Sequence, residues 1–295
     1  MNANKKNKNI RADSCNSRAE KIMKLLLSIC LTAILSLVVS AQNVVRYDLK
    51  IDHKTVNYSG KTVKDLAING QIPAPTLTFT EGDIAEIHVF NNLNEESSLH
   101  WHGILLPNEQ DGVPYLTTTP IAPKSTHVFR FPIRQNGTYW YHSHSNMQEQ
   151  RGLYGAFIIN KKDSFGKIPT YTVLLSDWTD ESPHEVHRSL KNANDWYALK
   201  KDAVQSYSEA AKAGAFKEKF KQEWLRQNAM DVSDVYYDAF LTNGKKEDVQ
   251  PNFKAGEKVR LRVINGSAST YFWLQFAGSQ LSVIASDGID VEPVE

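Results

Sequence analysis

Residues 79–91 read FTEGDIAEIHVFN and residues 253–265 read FKAGEKVRLRVIN, an offset of 253 − 79 = 174. The same offset carries Asn69-Gly70 onto Asn243-Gly244, Gly82 onto Gly256 and Asn91 onto Asn265. Apolar residues alternate in both copies: Ala85, Ile87 and Val89 in one, Val259, Leu261 and Val263 in the other. Side chains two apart on a strand share a face, so each copy reads as a β-strand entered through a turn, with this apolar row toward a core. Two such copies predict two β-domains of one design.

The surroundings of the first copy agree. VVRYDLKIDHKTV, STHVFRFPI, GTYWYHSH and GLYGAFIIN are short strand-like runs bounded by Gly, Pro or Asn, the pattern of a β-sandwich or barrel. A second strand-rich stretch opens at YTVLLSDWTD and resumes near Val235. Between them, about residues 184–230, the chain is rich in Ala, Lys and Glu without β-alternation. This predicts a helical insertion broken near Gly214. The expected organisation is a first β-domain at 42–162 and a second at 163–295. The second is expected to be incomplete, because only thirty residues follow Asn265 whereas the first copy runs on from Asn91 to Asn160.

At 295 residues, 41% hydrophobic and 23% charged, the composition is that of an ordinary globular protein of about two domains. Residues 1–41 carry 7 Lys/Arg against 2 Asp/Glu, which leaves 34 − 7 = 27 against 33 − 2 = 31 for the remainder, a net of −4. A basic nucleic-acid surface is therefore not indicated. MKLLLSICLTAILSLVVSAQ, from Met23, places Lys24 before an apolar run and ends it on small residues. That is the build of a cleaved secretory signal over residues 1–41, with Met23 as an alternative start. The run is short for a permanent membrane span, and it has no twin-arginine pair, which points to a Sec-type route. Export to a periplasm is the expectation. Cys15 and Cys30 are the only cysteines; both precede the cleavage point, so the mature chain has neither a disulfide nor a thiolate ligand.

Two short motifs carry the chemistry. HWHG at 100–103 and WYHSH at 140–144 place His100, His102, His142 and His144 in two His-x-His pairs. On a strand both imidazoles of a pair leave the same face, roughly 7 Å apart, so two such strands side by side would converge four imidazoles. The repeat sharpens this: at offset 174, His100 and His102 become Leu274 and Phe276, expected as apolar neighbours on a strand. His88, whose counterpart is Arg262, reads as a solvated strand residue, as do His53 and His127, and His184 and His187 as helix neighbours. Imidazoles alone suit copper, zinc, iron or nickel, and four exceed the three of a typical catalytic zinc site. Read from residue types alone, this is a histidine-rich metal site.

The stretch from LHWHG through WYHSHSNMQEQRGLYGAFII is similar to the first cupredoxin domain of multicopper oxidases, especially the periplasmic copper-resistance members. The run SHSNMQEQ, the helical segment after LLSDWTDE, and GEKVRLRVINGSASTYF extend the resemblance to about residues 43–295. It implies an all-β fold of tandem cupredoxin-like Greek-key sandwiches, the second incomplete and carrying the helical insertion. It implies copper as the cofactor: His100 would bind the type-2 copper, and His102, His142 and His144 the type-3 pair. Asp111, in DGVP, matches a carboxylate that helps supply protons during dioxygen reduction. Trp101, Trp140 and Tyr141 are expected to pack around the rings as core.

Family members also use His-x-x-His-x-His and His-Cys-His motifs from a C-terminal cupredoxin domain, and neither occurs in these residues. The resemblance therefore implies the N-terminal part of an oxidase that couples oxidation of Cu(I) or phenols to reduction of O2 to water. The missing C-terminal cupredoxin domain would be its partner. Two other classes stay open: a periplasmic copper-binding protein or remnant without turnover, and a mononuclear cupin-like enzyme. The latter expects a Glu three or four residues past His-x-His, but the first here is Glu109, seven past His102.

Overall fold

The computed structural model describes residues 23–24, 42–162, 168–191, 197, 206–225, 235–249, 253–277 and 280–294. The leader apart from Met23 and Lys24, both cysteines and parts of the 184–230 segment lie outside the described residues. Met1–Gln42 and Asn43–Glu295 separate as two units, and all strands belong to the second.

The first eight strands are β1 (Val44–Val56), β2 (Val63–Ile68), β3 (Ala74–Thr80), β4 (Ile84–Asn91), β5 (His100–His102), β6 (Thr126–Pro132), β7 (Gly137–His142) and β8 (Tyr154–Asn160). They form two four-stranded sheets, in order β2-β1-β4-β6 and β3-β8-β7-β5. The first copy of the repeat is β4, central in its sheet, parallel to β1 and antiparallel to β6. Its predicted apolar row, Ala85, Ile87 and Val89, is fully buried. These residues share one core with Phe79, Phe157, Trp101 and Tyr141 from the opposite sheet. Two antiparallel-rich sheets with a common apolar interior are a β-sandwich.

The second copy is built alike at the backbone. Strands β9 (Thr170–Trp178), β10 (Ala239–Thr242) and β11 (Arg260–Asn265) form a sheet in order β10-β9-β11, with β11 parallel to β9 as β4 is to β1. A hairpin of β12 (Val283–Ser286) and β13 (Ile289–Val294) follows. Asn69-Gly70 and Asn243-Gly244 both adopt positive φ at tight turns, as a two-residue type I′ hairpin requires. Each asparagine amide clamps an adjoining strand: Lys50 N–H donates to Asn69 Oδ1 at 2.6 Å, and Leu174 N–H to Asn243 Oδ1 at 2.9 Å. Among the described residues, three helices lie between β9 and β10: α1 (Pro183–Lys191), α2 (Tyr207–Lys212) and α3 (Phe216–Trp224). Ser206 and Glu209 form a capping box that starts α2, and Gly214 at φ 72° separates α2 from α3.

The second copy departs from expectation in two places. Leu261 and Val263 of β11 were expected on a core face, yet they are 38% and 40% exposed, while Ile264 is 6% exposed. The reason lies in β8, which is buried along almost its whole length. Phe157 and Ile159 face the sandwich core, while Tyr154, Ala156 and Ile158 face outward and pack with Leu174, Leu241 and Ile264. Arg262, beside them, donates to Thr138 Oγ1 at 2.8 Å and Asn160 Oδ1 at 3.3 Å. The buried side of β11 is thus the side against the first sandwich. Leu274 and Phe276 also differ from expectation, lying half exposed in irregular chain rather than on a strand.

Candidate metal centre

The short strand β5 pairs antiparallel with β7, placing His100 opposite His142, Trp101 opposite Tyr141, and His102 opposite Trp140. Alternation then sorts the side chains. Trp101 and Tyr141 point into the core and are fully buried; Trp101 Nε1–H donates to Gln110 O at 3.1 Å and Tyr141 Oη–H to Pro75 O at 2.7 Å. His100, His102, Trp140 and His142 share the other face. The tryptophan of HWH is the anchor that fixes the strand, and the histidines are what the strand displays.

His144 follows the end of β7 and joins the same cluster. Its ring centroid is 5.6 Å from that of His100 and 5.7 Å from that of His142. One ring nitrogen from each of His100, His102 and His142 lies within 4.8 Å of the others. His102 Nδ1 and His142 Nε2 lie 3.3 Å apart. Trp140 packs against the second apolar cluster, the one that holds Tyr154, Ala156 and Ile158. It is half-buried and stacks on His142 at 4.3 Å and 19°, walling one side of the histidine cluster.

The outer nitrogens of two rings are already engaged. His100 Nδ1 donates to the carbonyl of Asp111 at 2.7 Å, and His142 Nδ1 to the carbonyl of Ser143 at 3.0 Å. Fixing the proton on Nδ1 leaves Nε2 as the free lone pair. Burial, reinforced by the neighbouring imidazoles, holds His100 and His102 below the usual histidine range; Asp111 opposes this at His100 and Glu149 at His102. Neutral imidazole is the metal-binding form. The donor set, its free nitrogens and its spacing all fit a cation that accepts imidazole.

Asp111 sits beside this cluster, though its backbone makes the closer contact. Its Oδ1 is 3.5 Å from His100 Nδ1 and its Oδ2 is 3.5 Å from Thr117 Oγ1. The approach depends on Gly112, at φ 80°, where a Cβ would stand 1.7 Å from the carbonyl oxygen of Leu99.

The family models described as multicopper oxidase match residues 50–164 and 170–295. This chain belongs to the multicopper oxidase family. It is 42% identical over 259 residues to copper resistance protein A of Escherichia coli, covering 84% of this chain and 43% of that relative. It is 40% identical over 258 residues to the copper resistance protein A homolog of Pseudomonas syringae pv. tomato, covering 84% and 44%. The chain thus spans less than half the length of these curated relatives. Among solved structures, the multi-copper oxidase from Pseudomonas thermotolerans superposes with a TM-score of 0.64 at 23% identity, over 86% of this chain and 54% of that one. That likeness shows the shared cupredoxin-like fold. Multicopper oxidases are copper-binding oxidoreductases.

Against that family background, the structure also brings forward residues that composition and spacing did not single out. Gln148 is buried, accepts from Ser97 Oγ at 2.7 Å and Ser143 Oγ at 3.0 Å, and donates to Glu96 O at 2.9 Å. Glu149 places Oε2 2.6 Å from His142 Nδ1. Ser98 Oγ accepts from the backbone of His144 at 3.0 Å. The one signal for Gln148 and Glu149 was membership in SHSNMQEQ, a run with no regular period, and Ser98 lies outside that run. Among the other histidines, His88 pairs with Glu86 at 3.0 Å and His127 packs on Phe129 with the rings tilted, centroids 4.4 Å apart, both away from the cluster.

Proposed function

We propose that this chain provides the N-terminal portion of the histidine shell of a trinuclear copper centre in a periplasmic copper-resistance oxidase. The complete enzyme would couple one-electron oxidation of Cu(I) or phenols to four-electron reduction of O2 to water. The observation that carries the reading is the convergence of His100, His102 and His142 nitrogens within 4.8 Å, with His144 alongside. His100 would hold the type-2 copper and His102, His142 and His144 the type-3 pair. The remaining ligands and the thiolate-bound electron entry site would come from a C-terminal cupredoxin domain.

When bound, the coppers supply stored reducing equivalents, so that dioxygen takes up four electrons without release of peroxide. The protein's own part is orientation and proton placement. The carbonyls of Asp111 and Ser143 hold the Nδ1 protons of His100 and His142, turning both Nε2 atoms inward. Trp140 covers the His142 ring and limits water on that side. The Asp111 carboxylate, 3.5 Å from His100 Nδ1 and 3.5 Å from Thr117 Oγ1, would pass protons toward the cluster; the contact to His100 supports this reading.

The test is copper loading of the purified chain, with bound metal measured after dialysis and by electron paramagnetic resonance. Nitrogen hyperfine structure from imidazole ligands is expected. An intense blue thiolate band is not, because the only cysteines are Cys15 and Cys30. Copper uptake that survives replacement of all four histidines by Ala would overturn the reading. Joining the chain to a family C-terminal cupredoxin domain and finding copper bound without O2 consumption would instead favour a binding protein.

A further inference from the structure

Glu149 has no place in the reading above, and its surroundings are unusually constrained. The turn after WYHSH is closed by Gln148 N–H to Ser145 O at 3.1 Å, Gly152 N–H to Glu149 O at 3.0 Å and Leu153 N–H to Gln148 O at 3.1 Å. The Gln148 side chain is 1% exposed, and its amide has three partners, from Ser97, Ser143 and Glu96. A buried amide satisfied on both ends fixes its backbone, and the residue next to it is thereby aimed. That residue is Glu149, whose Oε2 reaches to 2.6 Å from His142 Nδ1 while its side chain is 23% exposed. Among the described residues no lysine or arginine pairs with Glu149; Arg151, two residues on, is turned to Asp65 at 2.7 Å.

The His142 ring is already oriented by the Ser143 carbonyl at 3.0 Å. A second, anionic partner on the same nitrogen is therefore redundant for orientation and adds charge. Placed across an imidazole from a bound cation, a carboxylate raises the ligand's donor strength. Its Coulomb attraction scales with the cation's charge and is therefore twice as large for Cu(II) as for Cu(I).

We propose that Glu149 is a positioning residue of electrostatic kind: through His142 it biases the metal held by the His100–His102–His142 cluster toward its oxidised, divalent state. The inference rests on the copper-centre reading above. It assigns Glu149 a role in setting the potential of the centre rather than its shape.

The test compares wild-type chain with E149Q and E149D, titrating Cu(II) and Cu(I) separately against chromophoric chelators. Glutamine keeps the volume and a hydrogen-bond acceptor and removes only the charge. Loss of such an outer partner typically costs roughly 10–100-fold in affinity, so E149Q should weaken Cu(II) by that amount. It should weaken Cu(I) by only about the square root, roughly 3–10-fold, because the energy scales with charge. E149D should recover part of the difference between the two ions. In an H142A background, E149Q should add no further loss, which separates an effect through His142 from damage to the fold. Equal losses for both ions, no loss for either, or the same loss in the H142A background would each overturn the inference. A wild-type chain that binds neither ion would instead overturn the copper-centre reading on which it stands.

Discussion

His102 Nδ1 and His142 Nε2 face each other across 3.3 Å, on adjacent strands, close enough for one ring to donate a hydrogen bond to the other in the metal-free chain. Two lone pairs that close repel unless a proton or a cation lies between them, so the pair is suited to share one ion. The His142 half of the pair has its other nitrogen satisfied, whereas His102 is the exposed member. Removing a direct ligand should cost at least as much as removing an outer partner, so H102A and H142A should each lower copper affinity by more than about tenfold. The double variant should be much less than additive, because either single change already breaks the bridge that the two rings make to one ion. Chelator competition measures all three; full additivity would mean that the two rings bind separate ions.

Acid should destabilise the metal-free chain through the same rings. His100 and His102 are held below the ordinary histidine value by burial and by neighbouring imidazoles. Between that ordinary value, about 6.5, and their lower folded values, the unfolded chain binds more protons than the folded one. Stability therefore falls as pH drops through this window and is fully present above it. Urea midpoints taken from about pH 7.5 to about pH 5.5 should decline, and the decline should shrink in a chain carrying H100A and H102A. An unchanged slope in that variant would place the acid sensitivity elsewhere.

Trp101 ties the metal face to the core. It is fully buried, in ring contact with Phe129 at 5.1 Å and Phe157 at 5.9 Å, and its neighbours on both sides in sequence are His100 and His102. W101A should cost about 3–5 kcal/mol of stability, the usual range for emptying a buried aromatic site. W101F should cost less, since it keeps a ring but not the indole donor to Gln110 O. Copper affinity should fall in W101A although no ligand atom is removed. Urea denaturation with parallel copper titration checks both.

Much of this was legible in the residues because strand geometry is so regular. The alternation of Ala85, Ile87 and Val89 announces a buried face, and H-W-H announces one face of histidines backed by one of core. What alternation does not reveal is which side of a strand meets a second body. Leu261 and Val263 repeat the apolar pattern of the first copy, yet Ile264 is the residue buried, because β11 packs against the outer face of β8. Trp140 lies on the histidine side of β7 and packs against the outer apolar cluster, while Tyr141 takes the position inside the sandwich. Gln148 and Glu149 lie in a turn without a period, and their roles depend on which distant groups the turn touches. Asp111 was picked out by family resemblance for its carboxylate, whereas its backbone carbonyl makes the shorter bond to His100.

Gly112 provides a test of that backbone contact. It holds φ at 80°, and a Cβ there would stand 1.7 Å from Leu99 O and 2.6 Å from the Leu99 carbonyl carbon. The clash is with backbone that leads directly into His100, so it cannot be relieved by turning a side chain. A non-glycine residue in this conformation costs of order 1–3 kcal/mol even without a clash, so G112A should lose at least that much. Its N–H also donates to Thr118 Oγ1 at 2.8 Å, pinning the loop that carries Asp111. Displacing the loop withdraws the Asp111 carbonyl from His100 Nδ1 and frees that ring to change tautomer. G112A should therefore lower the thermal midpoint, and nitrogen NMR of the metal-free chain should show His100 no longer held with its proton on Nδ1. D111N, which leaves the carbonyl in place, should keep the wild-type tautomer. If D111N shifts it as G112A does, the side chain and not the backbone orients the ring.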